Sequence, residues 1–295
     1  MQNQVTIPNL RGTARIFEHG DVKVHTYISP EDGLLTNTPI VEGPNRLVIF
    51  DGQFFLPYAK EAAVYAKSLA KPVDRIILSH IHLDHWSGLS VLAEHFPEAQ
   101  IFGLSGIADY LHRHGQKILD ARRPDLGDRI PIRPPIPTEV LPEGKVSIDG
   151  VNFEFKRFVD AESALQLVAL MPDQRTLLAF DLAFASDEHV FTVTPYFDNW
   201  IDILDALNAL PTYDVVLSGH GEPTDRSAIN ATIAYLRTGK KTHAGTRDPQ
   251  AYADAMKMAF PGRRHREWID LSASLLYGVI DAYVTAPVDA SCPSA

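Results

Sequence analysis

The stretch His80-Ile81-His82-Leu83-Asp84-His85-Trp86-Ser87-Gly88 places three imidazoles and a carboxylate within six positions, directly after the apolar run Ile76-Ile77-Leu78. Packing rarely calls for ligand-type side chains at that density. Histidine and aspartate are borderline and hard donors that together suit zinc, iron or manganese. Arg75–Ser79 reads as a buried strand, so the HxHxDH segment is the loop leaving its carboxyl end. Layered α/β folds build ligand sites at that position. The competing reading, a polar helix start that happens to be rich in histidine, is the weaker one.

Working outward, Arg15–His19, Val22–Ser29, Pro39–Glu42 and Leu47–Phe50 read as short strands separated by turn signals such as Gly20-Asp21 and Gly43-Pro44-Asn45. Tyr58–Leu69 is alanine-rich and reads as a helix, and Gly88–Phe96 as another. Gln100–Gly103 suggests a strand. Prolines at 124, 131, 134, 135 and 137 predict that Asp120–Pro142 is irregular, either a surface connection or a loop bordering the site. Lys145–Val159 alternates around Asp149-Gly150, and Ala164–Leu170, Thr176–Phe180 and Asp214–Ser218 are apolar strands. Asp198–Leu210, Asp225–Leu236, Pro249–Phe260 and Arg266–Ala282 carry helical patterns. Interleaved strands and helices, with both hairpins and crossovers, predict a layered α/β or α+β fold.

The chain has 295 residues, enough for one large domain or two small ones, and its 45% hydrophobic and 22% charged content is that of a globular enzyme. A formal net charge of −10, with no basic cluster denser than Arg263-Arg264-His265-Arg266, weighs against nucleic-acid binding. The one cysteine, Cys292, excludes an intramolecular disulfide and a thiolate metal cluster. No signal peptide and no membrane-length apolar run is evident, so the expected setting is the cytoplasm, without a membrane partner.

Three later segments share one form, an apolar strand or its loop leading to a ligand-type residue. Thr176–Phe180 ends at Asp181, and Val215–Ser218 ends at Gly219-His220. The loop before Ala164–Leu170 carries Asp160-Ala161-Glu162. His19, His25, His95, His112, His114, His243 and His265 lack ligand-spaced neighbours and read as surface or satisfied residues. His189 and Tyr196 lie on the loop after Asp181 and are candidates for substrate contact. Phe54, Phe55 and Trp86 are candidates for a pocket wall, with core packing an equal alternative.

The order HxHxDH, a strand-edge ligand, an "FD" strand end and a late "GHGEP" resembles the metallo-β-lactamase superfamily, from about Asn37 to Pro223. "LVIFDG" around Asp51 is similar to that family's opening strands. The fold implied is an α+β four-layer αββα sandwich, two mixed sheets flanked by helices. The whole chain, 1–295, would then be one domain, with a core of about 13–223 and a C-terminal helical extension of about 224–285. The resemblance implies two divalent metal ions, zinc first, with manganese and iron open. His80 and His82 would bind one ion, Asp84 and His85 the other, Asp181 would bridge them, and His220 would complete the second. The third ligand of the first metal is usually histidine. Here Glu162 takes that place, with Asp160 as the alternative, which points to a subgroup with glutamate in that position.

Asp84, Glu162 and Asp181 with a bridging hydroxide would make the cluster of two divalent ions neutral. Its water would be polarised less, its oxygen-rich ligand set would narrow zinc's advantage over manganese or iron, and multiply anionic substrates would be favoured less. The activity implied is metal-dependent hydrolysis, with a metal-bridging hydroxide attacking a small carbonyl substrate: a lactone, ester, thioester or amide. Asp84 is the candidate catalytic residue, to orient the hydroxide or carry its proton. A phosphodiesterase, a diiron oxidoreductase and a non-catalytic metal-containing binder stand as alternatives. The apolar stripe of Arg266–Ala282 wants a partner, its own domain first and a homodimer face second.

Overall fold

The short N-terminal strands assemble into an eight-stranded sheet in the computed structural model, which describes residues 2–5 and 10–280. β1 (Gln2–Val5), β2 (Thr13–His19), β3 (Val22–Ile28), β4 (Asn37–Glu42) and β5 (Leu47–Phe50) follow one another antiparallel. β6 (Val73–Leu78), β7 (Gln100–Gly103) and β8 (Glu139–Val140) then add in parallel. Parallel pairing needs crossovers. They are supplied by α1 (Leu56–Ser68) before β6, and by α2 (Leu83–Trp86) and α3 (Leu89–His95) before β7. Between β7 and β8 run α4 (Ile107–Tyr110), a π-helical turn (Leu111–Gly115) and α5 (Gln116–Leu126).

A second sheet of five strands contains β9 (Gly144–Ile148), β10 (Val151–Val159), β11 (Leu165–Met171) and β12 (Thr176–Phe180), each antiparallel to the last. After α6 (Phe197–Asn208), β13 (Val215–Ser218) joins parallel to β12. Every residue of β11 and β12 is buried, as expected of strands covered on both faces. One face meets the first sheet, where the Phe50 ring lies 6.2 Å from Phe153 and 5.8 Å from Phe180. The other is covered by α6 and by the extension α7 (Ser227–Gly245), α8 (Pro249–Ala259) and α9 (Arg266–Leu276). α1, α3 and α5 share a core with the first sheet. The result is the four-layer αββα sandwich, two mixed sheets flanked by helices. Among the described residues no helix is long and apolar enough to cross a membrane.

One expectation is corrected. Residues 120–126 are helical, although Pro124 removes one backbone donor. Pro124 sits in the last turn of α5, where the helix is already ending at Gly127, and Arg123 bonds the carbonyls of Gly127 and Pro131. The prolines that follow pack onto helix and sheet: a Cβ on Gly115 would lie 2.7 Å from Pro134, and one on Gly103 3.2 Å from Pro137. The apolar stripe of α9 packs on its own domain, the first of its two readings, with Trp268, Ile269 and Ala273 buried in the core of the second sheet and its helices. The part of that predicted helix beyond 280, like Cys292, lies outside the described residues.

Candidate metal centre

Each donor arrives at a strand end or in the loop beside one. His80 and His82 follow β6, and α2 starts at once, so Asp84 and His85 turn back toward them. That turn closes because Gly88 passes against Gly52, where a Cβ would sit 1.8 Å from the Gly52 carbonyl oxygen. β12 ends in a register shift with Phe180 at φ 48°, which turns Asp181 out of the strand. Gly219 lets His220 leave β13 beside it, since a Cβ there would fall 1.8 Å from Asp181 Oδ1. Glu162 comes from the β10–β11 loop, which turns at Asp160 with φ 53°.

Hydrogen bonds fix the imidazole tautomers. Asp51 accepts from Ser79 N at 2.8 Å, from Ser79 Oγ at 2.7 Å and from His85 Nδ1 at 2.8 Å. The Ser79 hydroxyl proton is therefore committed, so Ser79 Oγ accepts from His80 Nδ1 at 2.9 Å. His220 Nδ1 lies 2.8 Å from the Leu34 carbonyl, which can only accept. All three rings thus spend Nδ1 on these bonds and turn Nε2 inward, the atom an ion would take. Gln166 donates to Glu162 Oε2 at 2.8 Å, leaving Oε1 toward His82 Nδ1, 2.8 Å away.

These atoms form two groups. His80, His82, Glu162 and Asp181 make one, and Asp84, His85, Asp181 and His220 the other, each with its donor atoms within 4.8 Å of one another. Asp181 is common to both. His85 Nε2 is 3.3 Å from Asp181 Oδ1, and His220 Nε2 is 3.1 Å from Asp84 Oδ2 and 3.4 Å from Asp181 Oδ2. His80 Nε2 is 3.8 Å from both Glu162 and Asp181. Donors on one tetrahedral zinc stand roughly 3.3 Å apart, given bonds of about 2.0 Å. His80 Nε2, His85 Nε2 and Asp181 Oδ1 are buried and make no hydrogen bond, and His82 Nδ1 and Glu162 Oε1 meet only each other. Buried donor atoms converging in this way fit two divalent cations.

Electrostatics agree with a site built for positive charge. Burial alone would raise Asp84 and Asp181, yet His85 and His220 outweigh it and hold both below the ordinary carboxylate range. Burial likewise opposes protonation of His85 and His220, but Asp181 and Asp84 overcome it; His85 ends well above the imidazole range and His220 at about 10. Burial pushes the Glu162 carboxyl up to about 7. His80 is held well below its usual value by burial and by neighbouring His85.

The two groups share the floor of a cavity of about 570 Å³, reached through His82, Asp84, Asp181 and His220. Phe54 and Phe55 line it, as expected of a pocket wall. Trp86 does not; it is fully buried and its indole donates to the Ile81 carbonyl. His189 and Tyr196, the candidates for substrate contact, are not among the residues that line the cavity. His189 is buried with Nδ1 3.2 Å from Tyr235 Oη, and Tyr196 is 43% exposed at the start of α6. Sequence reasoning assigned no role to Asp51, although an Asp with φ 58° directly after a buried strand is a signal. It also passed over Ser79 and Gln166, whereas a wall from the C-terminal helices and from the region after Asp120 was among its readings, and α5 and α9 do line the cavity.

Fold and donors together define a four-layer αββα protein with a binuclear donor set between its two sheets. A model of the metallo-beta-lactamase superfamily matches residues 32–220. The chain belongs to that superfamily. Among solved structures it is similar to the metallo-beta-lactamase from Pontibacter korlensis, with a TM-score of 0.57 and 16% identity over 80% of this chain and 99% of that one. It is also similar to the DIM-1 metallo-beta-lactamase, with a TM-score of 0.54 and 14% identity over 76% of this chain and 97% of that one. A curated relative, an alkyl/aryl-sulfatase of Saccharomyces cerevisiae, is 27% identical over 192 residues, 54% of this chain. The match spans 30% of that protein's length.

Proposed function

We propose that the protein is a metal-dependent hydrolase of a small carbonyl substrate, a lactone, ester, thioester or amide. The observation that carries this reading is the cavity floor: four ligand-type side chains at the base of walls that are otherwise almost wholly apolar. Such a pocket buries the body of an uncharged substrate and turns its reactive group toward the donors. Two divalent cations held there would supply a nucleophile from water near neutral pH and positive charge for the developing oxyanion. His80, His82 and Glu162 would hold one ion, Asp84, His85 and His220 the other, and Asp181 both. Glu162 adds an oxygen donor, which supports manganese or iron beside zinc as the native metal.

Asp84 is the ligand carboxylate most open to the cavity, its side chain 21% exposed while Glu162 and Asp181 are enclosed. We assign to it the handling of the proton released as the nucleophile forms. A second reading, sulfate-ester hydrolysis, is favoured by the alkyl/aryl-sulfatase likeness. Assay of zinc-, manganese- and iron-loaded protein against lactones, nitrophenyl esters, thioesters, a nitrophenyl sulfate and a phosphodiester tests both. Carbonyl turnover that chelation abolishes, and that Asp84→Asn cuts roughly 100-fold or more, is expected. Turnover confined to the sulfate ester would select the second reading, and silence across the panel would refute both.

A further inference from the structure

Two helices from distant parts of the chain border the cavity. α5 contributes Ile118, Arg122 and Leu126, and α9 contributes Glu267, Leu271 and Leu275. In each helix these residues recur every fourth position, so a single stripe borders the cavity. Arg122 and Glu267 are the only charged residues lining it, among those described, apart from the metal-site side chains.

Arg122 stands in the middle of an apolar stripe, half-buried, with no hydrogen bond or ion pair to any described residue. Three arginines of the same segment are engaged. Arg113 pairs with Asp109, Arg123 bonds the Gly127 and Pro131 carbonyls, and Arg129 lies 4.2 Å over the Phe55 ring. A guanidinium cannot shed its charge. Held beside apolar walls, it keeps a desolvation cost that an anion offsets best, through a two-pronged charge-assisted contact. Glu267 does not fill that role, since it is 69% exposed and leans on His265 at 3.4 Å.

Resting on the hydrolase reading above, we infer that the substrate is a singly anionic amphiphile. Its apolar acyl or aryl-alkyl body lies between α5 and α9, and one carboxylate-like group, outside the bond being cut, pairs with Arg122. The cavity of about 570 Å³ is large enough for such a body. Each methylene it buries adds roughly three- to fourfold to affinity. A single anionic group also suits a metal cluster that is close to neutral when loaded.

Calorimetric titration of the zinc-loaded protein with octanesulfonate, octanol and ethanesulfonate tests this without turnover. Octanesulfonate is expected to bind about tenfold or more tighter than octanol, the usual margin of a charge-assisted contact, and about 100-fold or more tighter than ethanesulfonate. Arg122→Gln should remove the first margin and Arg122→Lys restore part of it. Equal affinities for octanol and octanesulfonate, or a margin that survives Arg122→Gln, overturn the inference. A hydrolase panel that stays silent would sink the hydrolase reading and leave these affinities standing. In turnover, the ω-carboxylate of 4-nitrophenyl octanoate should show kcat/KM about tenfold above the parent ester. Equal values would contradict an anion placed outside the scissile bond.

Discussion

Replacing Asp51 with asparagine tests whether the metal centre depends on a residue that is not itself one of the donors. Asp51 is fully buried and accepts three hydrogen bonds, from Ser79 N, Ser79 Oγ and His85 Nδ1. An asparagine of the same shape offers one carbonyl oxygen and one NH2. If the oxygen faces Ser79 N, the NH2 meets His85 Nδ1–H; if it faces His85, the NH2 meets Ser79 N–H. Either way one buried donor is left opposed, at a cost of about 1–3 kcal/mol. His85 would then lose its fixed tautomer, and His80 would feel the change through Ser79 Oγ. Groups that orient metal-binding histidines typically contribute about 10–100-fold to affinity, which is the same energy within error. The expected result for Asp51→Asn is a 10–100-fold loss of affinity for the ion on His85, and a smaller loss at His80. Competition with a chromophoric chelator measures both, and melting in excess metal separates folding from binding. Two ions held with unchanged affinity would refute the reasoning.

Gly219→Ala should empty or distort the bridge, because its Cβ would fall 1.8 Å from Asp181 Oδ1 and 2.8 Å from a His85 ring carbon. Metal content is expected to drop below two ions per chain while circular dichroism stays native. Glu162→Gln should weaken the first site selectively, and Glu162→His should keep both ions yet lower turnover by changing cluster charge; unchanged kinetics would count against a tuning role. Outside the donor set, burial raises Glu188 from 4.5 to about 7. A carboxyl raised in the folded state contributes fully below its unfolded value and loses that contribution as pH climbs through 7. Glu188→Gln should therefore gain on the parent between pH 5 and 8, by about 3 kcal/mol at most. Paired urea titrations at the two pH values would show no such gain if Glu188 ionises freely.

Much of the centre was legible because ligation demands particular residue types at strand ends. His80, His82, Asp84 and His85 announce themselves by density, and Asp181 and His220 by following apolar strands. Glu162 could be placed only by resemblance, and the structure puts it, not Asp160, beside His82. Less legible was whatever depends on long-range packing. Asp51 looks like an ordinary turn residue until β5 and β6 pair and bring it to Ser79. α5 was hidden because Pro124 reads as a breaker, whereas a proline in a last turn costs a helix little more than one bond. His189 is near Asp181 in sequence, but its side chain turns inward to Tyr235, while Phe191 of the same loop lines the cavity beside α9 from some eighty residues further on. Sequence distance is a poor guide where a C-terminal extension folds back over the core.

The central claim is that these seven residues hold two metal ions and that Glu162 is one of the ligands. Anomalous diffraction from crystals of the metal-loaded protein tests it directly. Two peaks about 3.5–4 Å apart are expected, with Asp181 between them and a Glu162 oxygen about 2.0–2.2 Å from the ion on His80 and His82. A single peak at Asp84, His85 and His220, with Glu162 still turned to Gln166 and His82 alone, would contradict it.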